Sequence, residues 1–205
     1  MFIIGGGCMN ILVGVSNRHV HLTKNIYDKL FSSPMEKLRD LDQPGQFASK
    51  QILSIKVGDK IIDDVRVVGP LRDYNQVEIS RTDAYFLKVN PPIRESGDIK
   101  GSSPITLITS LGEVYLDEGL IIANRHVHLT KDDVEKYGLY NIKEVAIKIK
   151  GEKSGIIRNV YLKVQANASL RLHLDTDDAN AFNLKNGDEV EVLKIKEGDK
   201  NEIKR

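Results

Sequence analysis

Apolar residues along this chain recur mostly in short runs of period two, the signature of strands with one buried face. Ile11-Leu12-Val13-Gly14-Val15 and Leu120-Ile121-Ile122-Ala123 are β-rich runs. Ile52, Ser54 and Lys56 alternate with Leu53, Ile55 and Val57, and Gly58-Asp59 then turns the chain into a run over 60–68, which predicts a hairpin. The runs 145–149, 156–164 and 189–195 repeat that texture, with Asn186-Gly187 as a turn before the last. The expected helices are short. Thr130-Lys131-Asp132-Asp133 resembles a capping-box start, with Val134 and Tyr137 on one face and Gly138 as the stop. Thr23 starts a matching helix through Ile26, Tyr27, Leu30 and Phe31, and Thr176-Asp177-Asp178-Ala179 starts another.

A repeat organises these elements. Ser16-Asn17-Arg18-His19-Val20-His21-Leu22-Thr23-Lys24 returns 107 residues later as Ala123-Asn124-Arg125-His126-Val127-His128-Leu129-Thr130-Lys131, identical at eight of nine positions. A fainter echo, at an offset of 95, aligns Val77-Glu78-Ile79-Ser80-Arg81-Thr82-Asp83-Ala84 with Leu172-His173-Leu174-Asp175-Thr176-Asp177-Asp178-Ala179. The expected fold is mainly β with short helices: two related β-barrel-like lobes from an internal repeat, at 11–115 and 116–205. The 12 additional residues between the motifs of the first lobe are expected to form a functional loop.

Composition narrows the class. A chain of 205 residues makes one large domain or two small ones at about 150 residues per domain. Lys and Arg total 30 against 29 Asp and Glu, so an anionic partner must be met by local donors instead of a global field. With 40% hydrophobic and 29% charged residues the chain reads as globular. Aromatic residues at 6%, with no Trp, offer little for base stacking, and no nucleic-acid partner is expected. The single cysteine, Cys8, excludes an intramolecular disulfide and a Cys-based zinc knuckle. No apolar run approaches the ~20 residues of a membrane span, and Met1-Phe2-Ile3-Ile4 lacks a basic flank, so a cytoplasmic location away from membranes is expected. Residues 1–10 read as a frayed extension with Met9 a second possible start, and 194–205 as a charged, solvated tail.

All five histidines fall in the repeated motifs: His19, His21, His126, His128 and His173. On a strand, residues i and i+2 share a face, so each His-Val-His aims two imidazoles at one point. A divalent metal held by neutral imidazole suits that arrangement, with zinc the default. The echo supplies a third donor to each lobe, Glu78 in the first and His173 in the second. Three protein donors with an open position is the pattern of catalytic zinc. Ligands crossing between lobes, and one ion in place of two, remain open on this reading. A lone His-x-His is more often a pair of half-exposed strand residues; the duplication reverses that weighting.

Anion-binding candidates cluster in the first lobe. Arg72 follows a Gly69-Pro70 turn six residues before Glu78, where a guanidinium fork suits phosphate or carboxylate; as a surface residue it would instead pair with Asp73. Gln46 lies in the amide-rich turn Gln43-Pro44-Gly45-Gln46-Phe47, and Ser16 adds a hydroxyl near the first His pair. Arg18 and Arg125 alternate away from the His faces, so salt bridging is their expected role. No G-x-G-x-x-G, Walker A or G-x-S-x-G motif is present.

The set Ser16–Leu22, Gln43–Ala48, Val65–Pro70 with Arg72, Gln76-Val77-Glu78-Ile79-Ser80, Arg94-Glu95-Ser96-Gly97-Asp98, Arg125–His128 and His173–Asp177 resembles the PduL-type phosphotransacylase family in content and order, from residue 11 to about 187. The resemblance implies two β-barrel domains, two zinc ions at their interface, and reversible acyl transfer between coenzyme A and inorganic phosphate. By motif position, His19, His21, Glu78, His126, His128 and His173 would be metal ligands. Arg72 would bind phosphate and, with Glu78, act catalytically, and Ser16 and Gln46 would lie near the active site. Microcompartment-associated members carry an amphipathic N-terminal extension; the ten or so residues before the first strand are too few for one, so a cytoplasmic enzyme acting on acetyl or propanoyl groups, without a shell-targeting segment and able to form a homodimer, is the expectation. A zinc-dependent thioesterase-type hydrolase and a non-catalytic metal-binding module are the alternatives.

Overall fold

The structure, a computed structural model, describes residues 9–194. Cys8, the residues before it and the expected tail beyond Lys194 lie outside the described residues. The first repeat contributes β1 (Met9–Ser16), β2 (His19–His21), α1 (Lys24–Leu30), β3 (Lys37–Asp40), β4 (Phe47–Val57), β5 (Lys60–Gly69), β6 (Gln76–Glu78), α2 (Arg81–Leu87), β7 (Ile93–Arg94) and β8 (Ser103–Thr109). The second contributes β9 (Gly112–Ala123), β10 (His126–Leu129), α3 (Lys131–Lys136), β11 (Glu144–Ile149), β12 (Gly155–Val164), β13 (Arg171–Asp175), α4 (Thr176–Ala181) and β14 (Glu189–Lys194).

These strands close two six-stranded barrels, as the patterning predicts. The first runs β4-β5-β2-β6-β9-β8 and back to β4, and the second β1-β13-β10-β12-β11-β14 and back to β1. Position by position the two orders correspond, with β3 beside β4 and β7 beside β9 as additions in the first. Each closed barrel removes its free edges and fills its interior with alternate apolar side chains. Val20, Leu53, Ile55, Val65, Val67, Val77, Leu107 and Leu120 line one core. Val13, Val127, Leu129, Val145, Ile147, Val160 and Leu172 line the other.

The compact units divide the chain at 16/17 and 124/125, not at 115/116: one is Asn17–Asn124, the other is residues 9–16 with 125–194. The physical reason is an exchange of strands. β1 precedes the first His-Val-His yet pairs in parallel with β13 and antiparallel with β14. β9 precedes the second yet pairs in parallel with β6. Each barrel therefore takes its sixth strand from the other repeat.

The hairpin between β4 and β5 turns at Gly58, whose φ of 57° lies in the left-handed region that glycine enters without strain. Thr23 caps α1 by accepting from the Ile26 amide, and Thr130 with Asp133 forms a reciprocal capping box on α3. Asp175, one residue before the expected start, caps α4. Helix α2, capped by Ser80 and Asp83, has no counterpart in the expectation, although its sequence echoes α4. The additional residues of the first lobe make β3 and the Gln43–Gln46 turn. No helix among the described residues is long and apolar enough to cross a membrane.

Candidate metal centre

Each His-Val-His lies on a barrel strand with its middle valine in the core: Val20 and Val127 are fully buried. The flanking imidazoles share the opposite face, with ring centroids 4.9 Å apart for His19 and His21 and 4.6 Å for His126 and His128. The neighbouring antiparallel strand supplies the third donor at the same register in both barrels: His19 stands opposite Glu78, and His126 opposite His173. Two triads result, His19-His21-Glu78 and His126-His128-His173, and in each the donor atoms lie within 4.8 Å of one another. Each is assembled wholly within one unit.

Hydrogen bonds aim these imidazoles. His19 donates from Nδ1 to the Asn17 carbonyl at 2.9 Å and His21 to the Val68 carbonyl at 3.3 Å. His128 donates from Nδ1 to the Gln165 side-chain oxygen at 2.8 Å. A carbonyl only accepts, so each Nδ1 carries the proton and each Nε2 lone pair faces its triad. Burial first, then the neighbouring His19 and Arg72, push the His21 pKa well below its ordinary value of 6.5. That imidazole stays neutral, as a metal ligand must. Two ligands 2.0–2.1 Å from a tetrahedral zinc lie about 3.3 Å apart. His126 Nε2 and His128 Nε2 are separated by 3.0 Å, and His19 Nε2 and Glu78 Oε2 by 3.5 Å. The donor sets thus fit a borderline divalent ion in size and chemistry.

Arg72 follows Pro70 on the β5–β6 connection, its amide bound to the Leu22 carbonyl at 2.9 Å. Its guanidinium donates to the Tyr74 hydroxyl and lies 5.5 Å from that ring, and its charge is felt at His21. The guanidinium thus meets Tyr74, where a plain surface arginine would have paired with Asp73. Gln46 sits in the turn before β4, next to Phe47, which pairs with Gly69 at the start of the same connection; it shares no hydrogen bond with the first triad. Ser16 ends β1 opposite Asp175, in the unit of the second triad. Arg18 and Arg125 make the expected salt bridges, each clamping a carboxylate in the first turn of a helix with two hydrogen bonds: Arg18 to Asp83 at 2.6 and 3.0 Å, Arg125 to Asp178 at 2.6 and 2.7 Å.

Three residues that matter escape the sequence reading. Gln76 is fully buried and donates to Glu78 Oε1 at 2.6 Å; its position two before Glu78 on a strand is the signal that could have identified it. Gln165 lies 37 residues from His128 and carries no local signal. Gly14 pairs with His173, and a Cβ there would stand 2.9 Å from the His173 ring.

Comparison with known proteins bears on the chain as a whole. The family model for phosphate propanoyltransferase matches residues 12–185. A phosphate propanoyltransferase of Thermotoga maritima is 43% identical over 189 residues, covering 90% of both chains. Another from Priestia megaterium is 46% identical over 179 residues, covering 86% of this chain and 82% of the relative. One from Lachnoclostridium phytofermentans is 43% identical over 185 residues, covering 88% and 86%.

Proposed function

The chain belongs to the phosphate propanoyltransferase family, a family of transferases, and on that premise we propose that it moves a propanoyl or acetyl group between coenzyme A and inorganic phosphate. Acyl-CoA and phosphate give acyl phosphate and CoA. The observation that carries this reading is the placement of Arg72, its amide bound at 2.9 Å to the carbonyl of Leu22, the residue after His21 of a His-His-Glu triad.

We assign one zinc ion to each triad, held by His19, His21 and Glu78 in the first and by His126, His128 and His173 in the second. Zinc bound there would supply Lewis-acid stabilisation of charge that develops on oxygen or sulfur. The remaining work falls to the chain. The Arg72 fork binds two phosphate oxygens and is steadied by Tyr74. Ser16 and Gln46 are assigned to substrate contact. All five histidines are committed to the triads, so no imidazole is left to activate a serine or threonine. A phosphate oxygen therefore attacks the thioester carbonyl carbon directly; the new C–O bond forms, the C–S bond breaks, and CoA leaves as the thiolate. Holding both reactants in attack geometry lowers the barrier by several kcal/mol, within the ~7–11 kcal/mol available to ideal orientation.

Thiol release from propanoyl-CoA and acetyl-CoA, with and without phosphate and before and after chelation, tests this reading. The expected result is phosphate-dependent release with stoichiometric acyl phosphate, lost on chelation and restored by zinc. Release without phosphate selects the hydrolase, and absence of any CoA chemistry selects the metal-binding module. Initial rates should intersect as for a ternary complex; parallel lines would reject direct attack.

A further inference from the structure

The carboxylate of Glu78 and the guanidinium of Arg72 are both tied, each through one intermediary, to a single short loop. Gln76 is fully buried, and the Gly97 amide donates to its Oε1 at 2.7 Å. That bond fixes which way the side-chain amide faces. Its two Nε2 hydrogens then go to Glu78 Oε1 at 2.6 Å and to Ser96 Oγ at 2.9 Å. Glu78 Oε1 is engaged by this amide, while Oε2 faces His19 Nε2 at 3.5 Å. One carboxylate oxygen is thus presented to the triad and the other is held back.

The same loop supports the arginine. Gly97 has a φ of 102°, which glycine enters without strain, and Tyr74 packs against it, its hydroxyl 3.6 Å from where a Cβ would be. Tyr74 in turn accepts a hydrogen bond from Arg72 and lies under its guanidinium. In the second barrel the residue equivalent to Gln76 by register is Arg171, opposite His128 as Gln76 is opposite His21. No equivalent side-chain amide stands at that register position in the second barrel.

We propose that the Ser96-Gly97 loop is a positioning element that acts through Gln76 to present Glu78 by a single oxygen and through Tyr74 to hold Arg72 toward phosphate. The inference rests on the assignment of an ion to the first triad and of phosphate to Arg72. Outer partners that orient ligands contribute 10–100-fold to metal affinity. Gln76→Met keeps the side-chain volume and removes both the donors and the acceptor.

Cobalt(II) titration followed by ligand-field absorption reads the first limb, and the phosphate KM reads the second. The unsubstituted protein is expected to bind two equivalents. Gln76→Met should weaken one of them about 10–100-fold and leave the other unchanged, and Ser96→Ala should weaken the same one by less. Ser96→Ala also carries the test should Gln76→Met fail to fold, because it removes only one hydroxyl. Tyr74→Phe should raise the phosphate KM several-fold with kcat and both cobalt affinities unchanged. Equal weakening of both ions, or unchanged affinity in both loop-linked variants, would overturn the positioning role. An unsubstituted protein that takes up no cobalt would instead overturn the assignment of ions to the triads, and the inference with it.

Discussion

The two barrels share a framework and differ in what they place around its centre. Strand order, the register of the third donor and the arginine–carboxylate clamp on the following helix all correspond. The third donor is a carboxylate in the first barrel and an imidazole in the second. The connection leading to it supplies Arg72 and Tyr74 in one, and in the other Gln165, a neutral amide spent on His128. Ile121 pairs with Glu78 where Gly14 pairs with His173. The framework decides where donors converge. The connections decide which charge lies beside them, and only the first barrel sets a guanidinium fork against a carboxylate-bearing triad.

The largest effect that would break this contrast is at Arg72. Arg72→Ala is expected to lower kcat/KM for phosphate about 10²–10³-fold, the scale for losing one strong oxyanion donor, with two ions still bound by elemental analysis. Loss of an ion would show that Arg72 supports the triad and not the anion.

The two clamps differ in depth. Asp83 is 6% exposed and completes a capping box, whereas Asp178 is 20% exposed and does not. Asp83→Ala is expected to cost about 3 kcal/mol in urea unfolding, and Asp178→Ala about 1–2 kcal/mol. Equal costs would mean that burial does not separate the barrels.

Gly14→Ala probes the second barrel alone. Its backbone φ is ordinary, so the added methyl acts only by crowding His173 and the Arg171 stem. A loss of about 1–3 kcal/mol, appearing as weaker binding of one ion of the two, is expected; an unaltered pair of affinities would show that His173 has room to move.

The smallest effect is the pH response of the chelated protein. The folded His21 pKa lies well below 6.5, so the unfolded state binds more protons beneath that value. Stability is present above pH 6.5 and falls as the pH drops below it, by at most about 1.4 kcal/mol per pH unit. Asp175, in the second barrel, acts with the opposite sign: burial raises its pKa above 3.8, so its contribution is present below pH 3.8 and lost as the pH rises through the folded value. Thermal unfolding with His21→Gln should flatten the limb below 6.5 and leave the more acidic region unchanged.

Much of this was readable from the chain because duplication displays each motif twice. Strand alternation places His19 and His21 on one face, and the echo identifies Glu78 and His173 as equivalent. Arg18 and Arg125 follow from the same alternation. Helix α2 was not readable, since Tyr85 and Phe86 are exposed in the middle of it and blur the helical period. The exchange of β1 and β9 was hidden for a different reason. Both are apolar runs leading into identical motifs, so either barrel accepts either strand by pattern, and only long-range pairing separates them.

That exchange bears on how the chain is made. At about 5–20 residues per second of synthesis, β1 leaves the ribosome long before its partners. The barrel of 17–124 closes once β9 emerges, entirely from nascent chain. Among the described residues β1 pairs with β13 and β14, more than 150 residues later, so it waits on the order of ten seconds or more as an unclaimed apolar segment. The barrel that holds the all-histidine triad therefore assembles after the other.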